Sequence, residues 1–404
     1  MVSNPKTNSI VLLSKQIGKL FDISNIFYIL FIFVPITIVL HVFFSIDSTI
    51  LFVLSVLSII PLAKLVGDTT EHLAEHYGNT GGSLINVTFS NTPEIILSII
   101  AIQAGLFDLV KANIVGSILG QILVVFGLSL IVGGLKFREQ KFNRQNIVFH
   151  TTALLMALGI LSIPTILIFG NLGLVDTNSE NQIHSNNFMV MVLGSSFAIL
   201  LLAIYFLGLI FTFKTHRHLF SFQSTDIEEG QTRLSEQQNS TVIAPSPDTI
   251  QMWSKKKAIG ILAISMIGIA IISEILVGSV EDTITHFDLS VLFVGAIVIG
   301  IIGNIPEKIT SMMMARKGKL DLSLEIAVSS ASQIALFVLP LIVIATVIMG
   351  ISFPLIFTPF ELITMFAGTI LLYFIMQSGK GNWFQDVILL GFFIAIAFGF
   401  YFVK

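Results

Sequence analysis

Cysteine is absent from the 404-residue chain, which excludes disulfides, thiolate metal sites, cysteine nucleophiles and iron-sulfur clusters together. Charge is scarce too: Asp, Glu, Lys and Arg make up 11% of the sequence, against roughly 25% in globular chains. The 21 basic and 24 acidic residues nearly balance, so no basic face exists to hold nucleic acid, which is excluded as a main partner. The HExxH element of metalloproteases, the Gly-x-Ser-x-Gly elbow of hydrolases and the Gly-x4-Gly-Lys-Ser/Thr phosphate loop are also missing, so enzyme chemistry is not expected. No cofactor is implied. What is abundant is apolar: hydrophobic residues reach 54%, with 35 Phe against 2 Trp and 5 Tyr, and the mean hydropathy is +0.92. These values describe an all-α polytopic membrane protein whose immediate partner is the lipid bilayer.

A spanning helix needs about 20 mostly apolar residues. By that rule the sequence predicts about eleven transmembrane helices, over 24–46, 49–67, 80–104, 110–134, 147–170, 188–213, 258–278, 288–314, 322–350, 355–376 and 384–403. The stretch before the first carries Lys6, Lys15 and Lys19 and has no small-residue cleavage site, so it reads as a retained segment rather than a signal peptide. Lys and Arg concentrate in alternate loops: the N-terminus, Lys136 to Arg144, Lys214 to Lys257, Arg316 to Lys319, and Lys380. Lys111 is the exception among the opposite loops. The positive-inside rule therefore places the N-terminus in the cytosol and the C-terminus outside.

Four parts follow from this reading. Residues 1–46 are a cytosolic N-terminus with the first helix, and 47–213 are a five-helix unit. Residues 214–257 are a polar cytosolic linker with Asp226, Glu228, Glu229 and Glu236, and 258–404 are a second five-helix unit. The linker reads as a tether, with a cation-attracting acidic segment as the other reading.

Asn91-Thr92-Pro93-Glu94 aligns with Asn304-Ile305-Pro306-Glu307, and the register then continues without a gap through Ser98/Ser311, Gly105/Gly318, Asp108/Asp321 and Leu109/Leu322, at a constant offset of 213. Asn, Pro and Glu are what lipid-biased composition depletes, so the coincidence reads as an internal repeat. On the charge-derived topology the two copies run in opposite directions, as in secondary transporters whose site lies at the midplane between inverted repeats.

The repeated motif has the chemistry of a cation site. A carboxylate inside a bilayer costs several kcal/mol unless it is paired, protonated or coordinating, and Glu94 and Glu307 occupy equivalent positions. Asn91 and Asn304, three residues earlier, put an amide oxygen on the same helix face. Pro93 and Pro306 lack the N–H that would bond the carbonyls of Phe89 and Ile302, freeing those oxygens. Oxygen-only ligation with two negative charges suits a hard divalent metal ion, Ca2+ above Mg2+. Without it, two facing carboxylates repel each other and are poorly solvated, which favours protons in place of metal. Competition of metal and protons for Glu94 and Glu307 is a sufficient basis for antiport.

These motifs, with Pro61 to Ala63, Gly81 to Phe89, Gly116 to Leu119, Arg138 to Asn143, Lys214 to Phe220, Ser273 to Ser279 and Gln333 to Val338, resemble the Ca2+/H+ exchangers of the Ca2+/cation antiporter superfamily over most of the chain. The resemblance implies one N-terminal helix plus two inverted five-helix repeats. It implies that Glu94 and Glu307 bind Ca2+ and carry protons, with supporting roles for Asn91, Asn304, Ser117, Ser330, Gln333, Asn86 and Thr88. Several positions depart from the family: Ser90 replaces a Gly, Pro93 and Pro306 stand where Ala or Val is common, Lys308 where His is common, and Glu325 where Gly is usual. Pro before Glu is similar to the Na+/Ca2+ branch, so a Na+-coupled exchanger on the same fold is the alternative. A prokaryotic plasma membrane is the expected location, with a vacuolar membrane as the alternative.

Further charged groups are candidates for a vestibule or proton path. Glu71 and Glu75, and His72 and His76, share helix faces at the cytosolic end of the second helix. Glu274 lies in the seventh, and Lys308 either snorkels or pairs with an acid such as Glu325. Gln121 falls one residue out of register with Gln333 and ranks below it.

Overall fold

The computed structural model describes residues 27, 29–134, 140–142, 144–169, 180–215 and 253–403. The acidic linker residues and the N-terminal lysines lie outside them. The described chain is helical, with one ladder of two short strands. In order, α1 is Phe33–Phe43, α2 Ser48–Glu75, α3 Gly78–Ser90 and α4 Thr92–Gln103. α5 spans Phe107–Gly134, α6 is Arg144–Phe169, α7 Glu180–Ile210, α8 Lys255–Phe287, and α9 Val291–Ile302. α10 is Ile305–Arg316, α11 Leu320–Ile348, α12 Pro359–Met376 and α13 Trp383–Phe402. β1, Gln140–Lys141, pairs antiparallel with β2, Lys380–Gly381.

Among the described residues, nine helices are long and apolar enough to cross a membrane, or ten if α9 and α10, bent by 54°, count as one span. The expected first helix, 24–46, is described as the 11-residue α1. The second and seventh expected helices extend beyond 67 and 278, to Glu75 and Phe287, because polar residues do not end a helix that is capped beyond them. Asp288, in the left-handed region at φ 51°, terminates α8. The third and eighth spans are each broken, at Asn91 and at Asn304, one residue short of the turn that holds the proline.

The two halves reuse one design. After each break the helix runs twelve residues and ends at a glycine with positive φ, Gly105 at 83° and Gly318 at 79°. The same pair of backbone bonds closes each turn, Leu106 and Gly105 N–H to the Ala101 and Ile102 carbonyls in one and Lys319 and Gly318 N–H to the Met314 and Ala315 carbonyls in the other. A side chain at φ near 80° would clash with its own backbone, so glycine is required there. The next long helix of each half, α5 and α11, then widens into a π-helical turn at its centre, over Gly120–Val125 and Ile334–Val338.

α5 and α11 cross antiparallel. Gln121 bonds Ser330 at the middle, while Ser129, later in α5, bonds Ser311, which in turn bonds Ser323 near the start of α11. Lys111, the cation out of place in the loop pattern, is paired with Asp108 one turn earlier at 2.7 Å.

Candidate cation site

The two helix breaks meet at the middle of the bundle, where α5 and α11 cross. Pro93 and Pro306 sit in the first turns of α4 and α10, with Glu94 and Glu307 immediately after them. Glu94 is 4% exposed, and its Oε1 lies 3.5 Å from where a Cβ on Gly303 would be, so it faces the break of the other half. Glu307 Oε2 accepts from Ser330 Oγ at 2.7 Å and from Gln121 Nε2 at 2.9 Å. Asn91 Nδ2 reaches Gln333 Oε1 at 3.4 Å, and Asn304 Nδ2 donates to Ser117 Oγ at 3.1 Å, which donates onward toward the Gly300 carbonyl. Every one of these contacts except that between Ser330 and Glu307 joins one half of the chain to the other.

Three buried oxygens at this centre have no hydrogen-bond donor: Glu94 Oε2, Asn91 Oδ1 and Gln121 Oε1. Buried acceptors are ordinarily satisfied, because an unpaired one costs about 1–3 kcal/mol. Acceptors gathered without donors, beside two carboxylates, form the surroundings a cation or a proton would complete. Among the described residues no three His, Asp or Glu side chains form a metal cluster, so the amide oxygens are needed as well as the two carboxylates.

The structure brings together Glu94, Glu307, Asn91, Asn304, Ser117, Ser330 and Gln333, and adds Gln121. Gln121 escaped the sequence alignment because it lies inside a π turn, whereas Gln333 immediately precedes one. The widened turn shifts which residue faces inward, so two glutamines one position out of register both reach the centre. The signal was present as a repeated polar residue within two otherwise apolar runs.

Other expectations are corrected. The Phe89 carbonyl is not free, since the Asn91 N–H bonds it in a tight turn. At the second break the ammonium of Lys308, 5% exposed, donates to the carbonyls of Ile301 and Gly300, next to that of Ile302. Lys308 therefore belongs to the centre, not to a vestibule, and within electrostatic reach of both Glu94 and Glu307. It does not pair with Glu325, whose Oε2 instead accepts from Asn146 Nδ2 at 3.4 Å. Asn86 and Thr88 are exposed on α3, the Thr88 hydroxyl being spent on the Leu84 carbonyl. Glu274 is exposed on α8.

Nor does the cluster ending α2 line the centre. His72 stacks on Trp253 with ring centroids 4.7 Å apart, His76 Nε2 contacts the Trp253 carbonyl at 2.7 Å, and Lys257 lies over the Trp253 ring. His72 to His76 spells the reverse of the protease zinc motif, but these contacts commit it to docking the chain that leads into α8. Glu71 and Glu75 are exposed beside it.

Residues 47–214 and 257–402 match the sodium/calcium exchanger protein family. The chain belongs to that family. A Ca2+/H+ antiporter of Aphanothece halophytica is 35% identical over 379 residues, 94% of this chain and 97% of that one. The Ca2+/H+ antiporter ChaA of Bacillus subtilis is 34% identical over 354 residues, 88% of this chain and 92% of that one. The solved structure of native YfkE matches with a TM-score of 0.73 and 31% identity, covering 93% of this chain and all of that one. The H+/Ca2+ exchanger CAX, at 14% identity and a TM-score of 0.64 over 93% of this chain and 90% of that one, shares the fold. The resemblance read from the motifs is thus borne out: the chain is an integral membrane transporter of the exchanger family, not an enzyme, and its relatives include bacterial and vacuolar proteins.

Proposed function

We propose that this chain is a secondary antiporter that exchanges Ca2+ for H+ by alternating access, with Ca2+ and protons competing for Glu94 and Glu307. The observation that carries this reading is the donor-free set of acceptors, Glu94 Oε2, Asn91 Oδ1 and Gln121 Oε1, gathered around the two carboxylates. A hard cation satisfies them by coordination, and a proton converts a carboxylate oxygen into the missing donor. One set of oxygens then takes either cargo but not both. The two halves act as inverted five-helix repeats after an N-terminal helix, with the Arg316 to Lys319 turn, β1 and β2 on the cytosolic side, the N-terminus cytosolic and the C-terminus outside. The membrane is a prokaryotic plasma membrane, with the vacuolar membrane as the alternative. The proteins named above as Ca2+/H+ antiporters support proton rather than Na+ coupling.

Ca2+ flux in reconstituted liposomes, with the membrane potential clamped and either a pH gradient or a Na+ gradient imposed, tests this. Flux driven by the pH gradient alone is expected. Flux that requires Na+ would overturn the proton coupling and transfer the same oxygens to a Na+/Ca2+ exchanger.

A further inference from the structure

The two long helices that cross at the centre differ sharply in what they leave accessible. Along α5, every residue from Leu109 to Leu123 is buried. Along α11, Asp321, Glu325, Ser329 and Gln333 are partly accessible, while most of the rest of Leu320 to Gln333 is buried. Those four are spaced four apart and so form one stripe on one helix face. The stripe is polar from end to end. It starts beside the Arg316 to Lys319 turn and finishes at Gln333, which bonds Asn91 in the central site. Glu307, bonded to Ser330 of that helix, is partly accessible, whereas Glu94 is buried. A polar stripe in a helix packed among α5, α6 and α10 is a wet route, because lipid would leave its carboxyl and hydroxyl groups unsatisfied.

The offset of 213 shows what that face does when closed. Glu325 corresponds to Ala112 and Ser329 to Gly116. On α5 those two positions make the tightest helix contact at the opposite end. A Cβ on Gly116 would lie 1.9 Å from the Ala296 carbonyl oxygen, and one on Gly295 would lie 2.6 Å from Ala112 Cβ. α5 thereby seals against α9. The counterpart of Gly295 is Gly82 on α3, but α11 makes no comparable contact with α3. Among the described residues α5 packs on α9 at one end while α11 does not pack on α3 at the other, where the Gly82 face is turned to the Ala74 carbonyl of α2; giving the second end the arrangement of the first would carry Glu325 to the place by Gly82 where the packed end has an alanine methyl group.

We propose that Glu325 is a second proton-carrying group, whose carboxyl must take up a proton before the α11 face can close on α3, so that it couples closure of the cytosolic route to protonation. The inference rests on the Ca2+/H+ reading and adds to it a titrating group outside the central site. An ionised carboxylate squeezed against a helix backbone is far costlier than a protonated one. Among the described residues its hydrogen-bond partner is the neutral Asn146 amide and no salt bridge reaches it. On its own helix the neighbouring acid is Asp321. On α6 it meets the amide of Asn146, while Arg144 is directed to the Gln377 carbonyl at 3.1 Å and His150 to Ser332 at 3.1 Å, deeper in. On α10, Arg316 is exposed at the helix end, as is Lys317 just beyond it, and Lys308 is turned to the Gly300 and Ile301 carbonyls. Lys141 lies on β1, beside the start of α11, and α5 brings only Asp108 and Lys111, paired at its far end.

The test compares wild type, Glu325→Gln and Glu325→Ala in liposomes, reading both proton-coupled Ca2+ flux against pH on the Arg316 side and Ca2+/Ca2+ exchange at fixed pH. Neutral Gln keeps a partner for Asn146 but no longer needs a proton to close. The expected result is Ca2+/Ca2+ exchange that does not fall, with the pH dependence on that side flattened by roughly one proton. A wild-type pH profile in Glu325→Gln overturns the proposal. Because the chain has no native cysteine, Ser329→Cys provides a second measurement. An impermeant thiol reagent is expected to label it from the Arg316 side only, and absence of labelling overturns the route regardless of how the Glu325 variants fold. Wild type that moves Ca2+ without proton coupling would instead sink the antiport reading itself, so the two failures are distinguishable.

Discussion

Gln121, in the first half of the chain, donates its amide N–H to Glu307, in the second, at 2.9 Å, and the same nitrogen lies 3.0 Å from the Ser330 hydroxyl. The carboxylate of one half is thus oriented by the long helix of the other, and its free oxygen, Gln121 Oε1, remains in the site as an acceptor. Changes on either side of the crossing should therefore be felt as changes in cation binding.

Gln121→Ala removes a hydrogen bond to a charged group, worth about 1.5–3 kcal/mol, together with one candidate ligand oxygen. The KM for Ca2+ is expected to rise by at least about tenfold, with a smaller change in maximal flux. An unchanged KM would show that Gln121 is only a packing residue.

Glu94→Gln and Glu307→Gln should each abolish coupled Ca2+ transport while the protein still elutes as a folded species, since Gln relieves the burial of charge but cannot supply it to the cation. Full transport in Glu307→Gln would refute the shared-carboxylate mechanism.

Lys308→Met has two opposed effects. The carbonyls of Gly300 and Ile301 lose their donor at the helix break, so thermal stability is expected to fall by about 1–3 kcal/mol. Removing a buried cation beside Glu94 and Glu307 should at the same time tighten Ca2+ binding, on the order of tenfold. Calorimetric titration of Ca2+ alongside a melting curve separates the two, and weaker binding would show that the ammonium serves the site rather than opposing it.

Gly116→Ala places a methyl group 1.9 Å from the Ala296 carbonyl oxygen, closer than any relaxation of side chains can absorb. The α5–α9 seal is expected to open, with loss of transport and a lower melting temperature. Gly159→Ala is the control: nothing lies within 4 Å of the added methyl, and a helix-interior Gly to Ala change there should stabilise by about 0.5–1 kcal/mol. Equal effects of the two substitutions would show that the close contact at Gly116 carries no special weight.

Much of this was legible in the sequence because polar residues are conspicuous in a lipid-biased chain. Asn91, Glu94, Asn304 and Glu307 stood out for that reason, as did the glycines at 105 and 318 that end the helices following the breaks. Gln121 was ranked too low because linear alignment assumes 3.6 residues per turn throughout, and a π turn violates that assumption at the site. The freed Phe89 carbonyl was misread because Pro93 starts a new helix instead of kinking an old one, which lets Asn91 close the previous helix upon itself. Lys308 could not be placed from one dimension, since its partners are carbonyls seven and eight residues earlier, across the break.

The ladder of Gln140 and Lys141 with Lys380 and Gly381 is too short to be stable on its own. It persists because α5 and α6 of the first half, and α12 and α13 of the second, hold its strands in register. It therefore ties the turn between α5 and α6 to the turn between α12 and α13, one backbone link between the two halves at that end of the bundle.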